Sequence, residues 1–490
     1  MSQRQNPSSK KQNPVKAPGE PKIAIAIMAA GKGTRLKSKH PKVLHEIGGK
    51  SLLRHVIDAA IQVVPADDVY AIIGFEADRV RQAVADTGVC FIEQPEQQGT
   101  GHAIIVGRDA LAKYDHVLVL SGDTPLIRPE IIGRLRDFHL QRQSAMTLLT
   151  AEPPDPTGYG RVIRKAKNGK PSDEVSAIVE QKQLSDTQQK LREINSGIYA
   201  FAAKPLFANI DQLSTNNPHR EYYLTDMAQI LNKAGARVLA FKEGEIAETL
   251  GINTRAELAR LDTQLRLQKC AELMDAGVTI YKPETCVIDS DVTVGPDTII
   301  EPYVQLLGKT RISADCHIHS GSVIVSCEIG EETVIRPYSV LERSRIERKS
   351  SIGPFSHLRP GNQVGPEAHI GNFVELKKTK IGQGSKANHL TYLGDSVIGD
   401  NVNIGAGTIT CNYDGVQKHQ TVIEDQVFVG SDSTLVAPVK LGRGAYVGAA
   451  SCITADVPEG ALAIGRGRQV NKEGWVKERR SKLAAKNGNK

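Results

Sequence analysis

The chain has 490 residues, well past the roughly 250–300 at which a single core stops growing, so it divides into more than one domain. Hydrophobic residues make up 40% but aromatics only 4%, which calls for aliphatic cores, and no run nears the roughly 18 apolar residues of a membrane span. Of the net charge of +7, residues 1–22 contribute +4 and residues 472–490 contribute +5, leaving a mildly acidic body that carries no nucleic-acid footprint.

Residues 1–21 are polar and proline-rich and read as a disordered extension, not a secretory signal. The seven cysteines include no CxxC pair, and reduced thiols in a cytoplasmic protein account for them. From 22 to 253 short apolar runs alternate with amphipathic stretches. Ile23–Met28, Val69–Gly74 and Val117–Ser121 read as buried strands, and Ser51–Val64 and Pro129–Arg142 as helices. The pattern predicts a Rossmann-like α/β domain with a mostly parallel sheet, whose ligands sit beyond the carboxyl ends of its strands.

Those strand ends carry polar motifs. The first strand runs into Ala29-Ala30-Gly31-Lys32-Gly33-Thr34-Arg35, followed by Pro41-Lys42. Small residues let backbone N–H groups approach phosphate, and Arg35 and Lys42 can neutralise its charge. Asp123 follows a strand in Ser121-Gly122-Asp123, where a carboxylate is placed to hold a cation. The Gly-rich turn resembles the signature of sugar-nucleotide pyrophosphorylases. That resemblance implies a UTP site formed by Met28, Ala29, Ala30, Gly31, Lys42, Gln94, Gly99, Thr100, Gly122 and Asp123. It further implies that Asp123 pairs with Asn253 as ligands of Mg²⁺, and that Gly160, Glu180 and Asn195 hold an N-acetylated sugar. Met28 stands where leucine is usual, and Ser121 where a tyrosine is expected.

Residues 254–276 place Leu258, Leu261, Leu265, Cys270, Leu273 and Met274 on one stripe of a linker helix. Beyond it the period becomes six. Apolar residues recur at Ile288, Val294, Ile300, Leu306, Ile312, Ile318 and Ile324, and the series continues with occasional five-residue steps to Ile453. This is the signature of a parallel β-helix, with three faces to a coil and apolar residues stacked in ladders. The five-residue steps read as tightened corners, and the interval from Thr410 to Ile423 as an outward loop.

Residues 357–413 concentrate polar groups on this coil. Arg359 and Lys377 can grip a phosphate, and His389 can take a proton from an attacking amine. The stretch Leu376–Tyr413 resembles the acetyltransferase half of the bacterial GlmU family. The order of the upstream motifs extends the resemblance over roughly 22–475. It implies a left-handed β-helix, with His389 as base and Arg359, Lys377, Tyr392 and Asn403 on glucosamine phosphate. Acetyl-CoA would meet Ala406, Asn412, Tyr413, Ser431, Ala449 and Arg466. It also implies a homotrimer that acetylates glucosamine 1-phosphate and then joins the product to UTP, with Arg35, Lys42 and Mg²⁺ neutralising charge.

The domains expected are therefore a uridylyltransferase at 22–253, a linker helix at 254–276, a β-helix acetyltransferase at 277–470 and a basic tail at 471–490. Three other readings stay open on the residues alone. One is a pyrophosphorylase on a merely structural coil. Another is a metal hydratase using His317, His319, His357, His369 and His389, whose spacing shows no three-ligand pattern. The third is a non-catalytic scaffold.

Overall fold

The computed structural model describes residues 19–167, 170–242 and 251–487, so all but the last three residues of the expected N-terminal extension lie outside it. The chain forms two compact units, Met1–Gln264 and Leu265–Lys490, which divide within the helix Arg255–Asp275.

In the first unit, nine strands build one sheet: β1 (Ile23–Ala29), β2 (Val69–Ile73), β3 (Cys90–Glu93), β4 (His116–Ser121), β5 (Met146–Ala151), β6 (Arg161–Lys167), β7 (Lys170–Val179), β8 (Ile194–Ala202) and β9 (Val238–Lys242). Their order is β3-β2-β1-β4-β8-β5-β9-β7-β6. The first four are parallel, as their apolar runs predict, and β2 and β5 are buried along their whole length. The other half of the sheet is mixed. β8 runs antiparallel to both β4 and β5, and β6 and β7 form an antiparallel pair. The sequence RVIRKAK of β6 interleaves charge with apolar residues, which suits a sheet with only one covered face and departs from the mostly parallel expectation.

The helix Leu52–Ala60 starts where the Ser51 hydroxyl accepts the Arg54 N–H at 3.2 Å. Pro129 opens the helix Pro129–Arg142, where its missing N–H costs nothing. In the helix Arg255–Asp275, Leu261, Cys270 and Leu273 are buried. Met274, expected on the same stripe, is exposed because a helical neighbour of Leu273 points about 100° away.

The second unit is a left-handed parallel β-helix. Its three sheets hold eleven, ten and nine short strands, one from each coil. The six-residue series maps onto three internal ladders. One runs through Ile352, Ile370, Ala387, Ile404, Val429 and Val447, and a second through Leu358, Leu376, Leu393, Thr410, Leu435 and Ile453. The third passes through Val364, Ile381, Ile398, Ile423 and Leu441. Each fully buried aliphatic residue contributes about 1.5–3 kcal/mol, and the ladder repeats that gain coil after coil. Thr410 is a polar member the apolar count passed over, and its hydroxyl accepts the Gly394 N–H at 2.8 Å. The five-residue steps are tight corners, with Ser326, Arg343, Lys378 and Asp395 all at positive φ. Residues 413–418 project as an exposed loop.

Two positions before many ladder residues stands a buried Ser or Thr whose hydroxyl bonds a carbonyl of the next coil, as Thr379 does to Leu393 at 2.9 Å. This satisfies polar groups that the corner would otherwise strand. Near the C-terminus, Trp475–Asn487 forms an exposed helix in the basic tail. Among the described residues no helix is long and apolar enough to cross a membrane.

Candidate active sites

The register of β1 against β4 pairs Met28 with Ser121, which sets the Gly-rich loop beside Gly122 and Asp123 at the carboxyl edge of the sheet. A cleft of about 430 Å³ opens there, lined by Met28, Ala30, Gly31, Gln94, Gly99 and Thr100. All six are residues that the family resemblance assigned to one nucleotide. Gln97 and Glu221 also line it and carried no motif signal. Backbone pairing clamps the far wall, since Tyr222 N–H donates to the Gln98 carbonyl at 2.8 Å and Gly101 N–H to the Tyr222 carbonyl at 2.7 Å. The buried Gln94 amide donates to the Gly99 carbonyl at 3.1 Å, which holds the segment in place.

Below the cleft the Lys42 ammonium touches Asp123 Oδ2 and lies 3.1 Å from Asn253 Oδ1. Two oxygen donors thus converge on one cationic centre, and a hard divalent ion fits the same donor set. Local chemistry fixes each part. The Lys42 stem lies against Gly33, whose φ is +67° and where any Cβ would overlap it. Asn253 is held by a capping box, in which Glu257 Oε2 accepts the Asn253 and Thr254 N–H groups at 2.6 and 3.2 Å while Thr254 Oγ1 accepts the Glu257 N–H at 3.1 Å. Arg35 is exposed on the adjoining turn Thr34–Leu36, and Ala29 and Gly122 pack behind the loop.

The residues expected to hold the sugar also gather. Asn195 N–H donates to the Gly160 carbonyl at 2.9 Å, and a Cβ at Gly160 would sit 3.7 Å from the Glu180 carboxyl carbon. Burial raises the pKa of Glu180, against a lowering hydrogen bond from Thr225. The phenol of Tyr159, next to Gly160, is also pushed up, first by burial and then by the charges of Glu257 and Asp123.

On the β-helix the polar residues sort into two groups. At one corner Asn372, His389, Ala406, Ser431 and Ala449 occupy the same position in successive coils, two residues past the ladder members Ile370, Ala387, Ile404, Val429 and Val447. His389 Nδ1 lies 2.7 Å from Asn372 Oδ1. The amide oxygen can only accept, so Nδ1 carries the proton and Nε2 is left with its lone pair free to accept one. Asn403, just before Ile404, faces outward on the adjoining sheet.

The second group lies at the far end of the next face. Arg359 donates to Glu375 at 3.0 Å, and Lys377 stands opposite Gly394. The loop after Thr410 folds back so that Tyr413 pairs with Lys418, which brings a third cation against Lys377. That contact lowers the pKa of Lys377, with the Arg359 charge acting in the same sense. The Tyr392 hydroxyl and the Asn412 amide crowd over Gly394, where a Cβ would overlap the hydroxyl and lie 2.8 Å from Asn412 Nδ2. Three cations around a phenol and an amide make an anion site. Lys418, Glu375 and Asn372 were missed by sequence reasoning. Counting one coil of 16 to 18 residues from an expected site residue finds the last two. Tyr413 and Arg466 are exposed, and the structure brings neither to His389.

This combination defines a nucleotidyltransferase joined to a hexapeptide-repeat acyltransferase. Residues 25–223 match the family described as MobA-like NTP transferase domain. Along nearly the whole chain it is similar to proteins named bifunctional protein GlmU. That of Koribacter versatilis is 63% identical over 95% of this chain and 99% of its own. For Solibacter usitatus the figures are 50%, 94% and 98%, and for Streptococcus agalactiae 43%, 92% and 97%. The chain belongs to the GlmU family, and its two activities, acetyl transfer and uridylyl transfer, synthesise UDP-N-acetylglucosamine from acetyl-CoA and UTP.

Proposed function

We propose that residues 22–253 carry the uridylyl transfer and residues 277–470 the acetyl transfer, joined by the helix at 254–276, with acetylation first. The observation that carries this assignment is that each unit has its own polar machinery, Lys42 with Asp123 and Asn253 in the first, His389 with Asn372 and the Lys377 cluster in the second. Glucosamine 1-phosphate is gripped by Arg359, Lys377 and Tyr392, with Asn403 assigned to the same substrate. His389 Nε2 takes the proton from its amine as nitrogen forms the amide bond and the thiolate of CoA leaves. Ala406, Ser431 and Ala449 run from His389 as a line of small side chains along which an extended thioester can lie. Asn412, Tyr413 and Arg466 are assigned to the same cofactor.

In the other unit, Gly160, Glu180 and Asn195 position N-acetylglucosamine 1-phosphate. The cleft at Gly31, Gln94, Gly99 and Thr100 holds UTP. A phosphate oxygen of the sugar attacks the α-phosphorus, and pyrophosphate leaves. Arg35 and Lys42 offset the charge that builds up, so the chain contributes positioning and electrostatics with no covalent nucleophile. Asp123 and Asn253 would hold Mg²⁺, which polarises phosphate oxygens when bound.

A homotrimer completes the acetyl site, because His389 and the Lys377 cluster occupy different ends of one face and the base is open to solvent in a single chain. The substrates place the enzyme in the cytoplasm, in keeping with seven free cysteines. The test supplies glucosamine 1-phosphate, acetyl-CoA, UTP and Mg²⁺ and follows CoA thiol and pyrophosphate separately. Release of both, with pyrophosphate dependent on acetyl-CoA, is the expected result. Pyrophosphate only from added N-acetylglucosamine 1-phosphate, with no thiol, overturns the assignment of the β-helix.

A further inference from the structure

The β-helix holds a cluster of metal-ligating side chains that neither transfer reaction uses. His317 points outward beside the ladder residue Ile318, and His319 follows it. Glu301 occupies the position of His319 one coil earlier, since Glu301 N–H donates to the Ile318 carbonyl and His319 N–H to the Ile335 carbonyl. The two imidazole rings stack with centroids 3.9 Å apart and planes inclined by 21°. His317 Nε2 lies 3.0 Å and His319 Nδ1 2.9 Å from the same oxygen, Glu301 Oε1. The other carboxylate oxygen accepts from both the N–H and the hydroxyl of Ser320, each at 2.9 Å. All three donor atoms lie within 4.8 Å of one another.

We propose that Glu301, His317 and His319 form a binding site for a divalent transition ion of the zinc class. A four-coordinate ion with bonds of about 2.0–2.2 Å holds its ligand atoms about 3.3–3.6 Å apart. Both nitrogen–oxygen separations are within about half an ångström of that spacing, so small side-chain rotations on a rigid coil admit the ion. Two imidazoles and one carboxylate favour Zn²⁺, Co²⁺ or Ni²⁺ over Mg²⁺, which prefers oxygen alone. Ser320 fixes the carboxylate as an outer-shell partner does. Each ring would bind the ion through the nitrogen that faces Glu301, with its remaining proton on the nitrogen facing away. The three side chains are 25–35% exposed, which leaves water access to a fourth position. Arg336 of the next coil, whose charge is felt at His319, donates its Nε–H to Ser351 Oγ at 3.2 Å.

The site is separate from Asp123 and Asn253, and its test is separate too. Untagged full-length protein, stripped with a chelator, is titrated with Co²⁺ and then Zn²⁺ in the presence of Mg²⁺. One equivalent per chain with the visible absorption of low-coordinate cobalt is expected. Glu301→Gln should weaken binding at least about tenfold, and the His317→Asn/His319→Asn pair should abolish it. Retained acetyl transfer shows that these variants fold; should the double variant fail to, His319→Asn alone reads the same loss. No stoichiometric binding, or an unchanged spectrum in the variants, which would place the ion on thiols, overturns the proposal.

Discussion

The two units build their polar sites in opposite ways. In the α/β unit Lys42 meets Asp123 across 81 residues and Asn253 across 211. On the β-helix His389 meets Asn372 across 17 residues, Arg359 meets Glu375 across 16, and Asn412 meets Asp395 across 17. A solenoid turns sequence period into spatial neighbourhood, so a site there is one coil deep. The sheet gathers its site only after every crossover has formed, which makes it the more sensitive to distortion at a distance.

The largest effects separate the two. His389→Ala should lower acetyl transfer by about 10²–10⁴ and leave uridylyl transfer from N-acetylglucosamine 1-phosphate intact. Asp123→Ala should do the reverse, by about 10²–10³. Thiol and pyrophosphate assays on each variant decide the matter, and a variant that lowers both would mean that the units are not chemically independent. Gly33→Val sharpens the contrast without touching a reacting group. A branched side chain at a positive φ displaces the Lys42 stem, and a shift of about 1 Å costs on the order of 10² in uridylyl transfer. Acetylation in the same protein should be unchanged.

This difference also explains what could be read beforehand. The strand ends, the helix Pro129–Arg142 and all three β-helix ladders follow from periodicity, because one apolar residue in six has no other use. The antiparallel half of the sheet did not, since its strands β6 and β7 are charge-rich and half exposed. Gln97 and Glu221 reach the nucleotide cleft only through tertiary folding, and no local pattern marks them. The Glu301–His317–His319 cluster shows the limit of reading histidines alone. The spacing of the histidines shows no three-ligand pattern because the third donor is a glutamate one coil back.

Asn372 tests whether one coil of separation is enough to support catalysis. It is a positioning residue, since its oxygen fixes which nitrogen of His389 is protonated. Asn372→Ala should reduce acetyl transfer about tenfold, chiefly in kcat. Asn372→Asp keeps an acceptor and adds a charge that favours the imidazolium. It should restore rate at high pH while moving the acidic limb of the kcat/KM profile upward. A simple loss of stability would change neither the limb nor its direction.

The smallest effect lies in acid. Burial alone would raise the pKa of Glu193, but the two-point Arg164 contact at 2.7 Å and the Thr150 hydroxyl bring it below the ordinary glutamate value. A carboxylate lowered on folding contributes stability above its unfolded pKa of about 4.3, and that stability is lost as pH falls through the folded value. Glu301 on the β-helix has the same sign: burial opposes it, but the two Ser320 hydrogen bonds and the histidines hold its pKa at about 2. Glu193→Gln should remove about 1.5–3 kcal/mol at pH 7 and flatten the fall in Tm as the pH drops below about 4.3. Glu301→Gln should flatten the fall for the β-helix unit across the whole span from about pH 4.3 down to about 2. Melting curves of the two variants across that range, read by unit-specific tryptic protection, would separate them; an equal shift in both units would mean that acid acts on the chain as a whole.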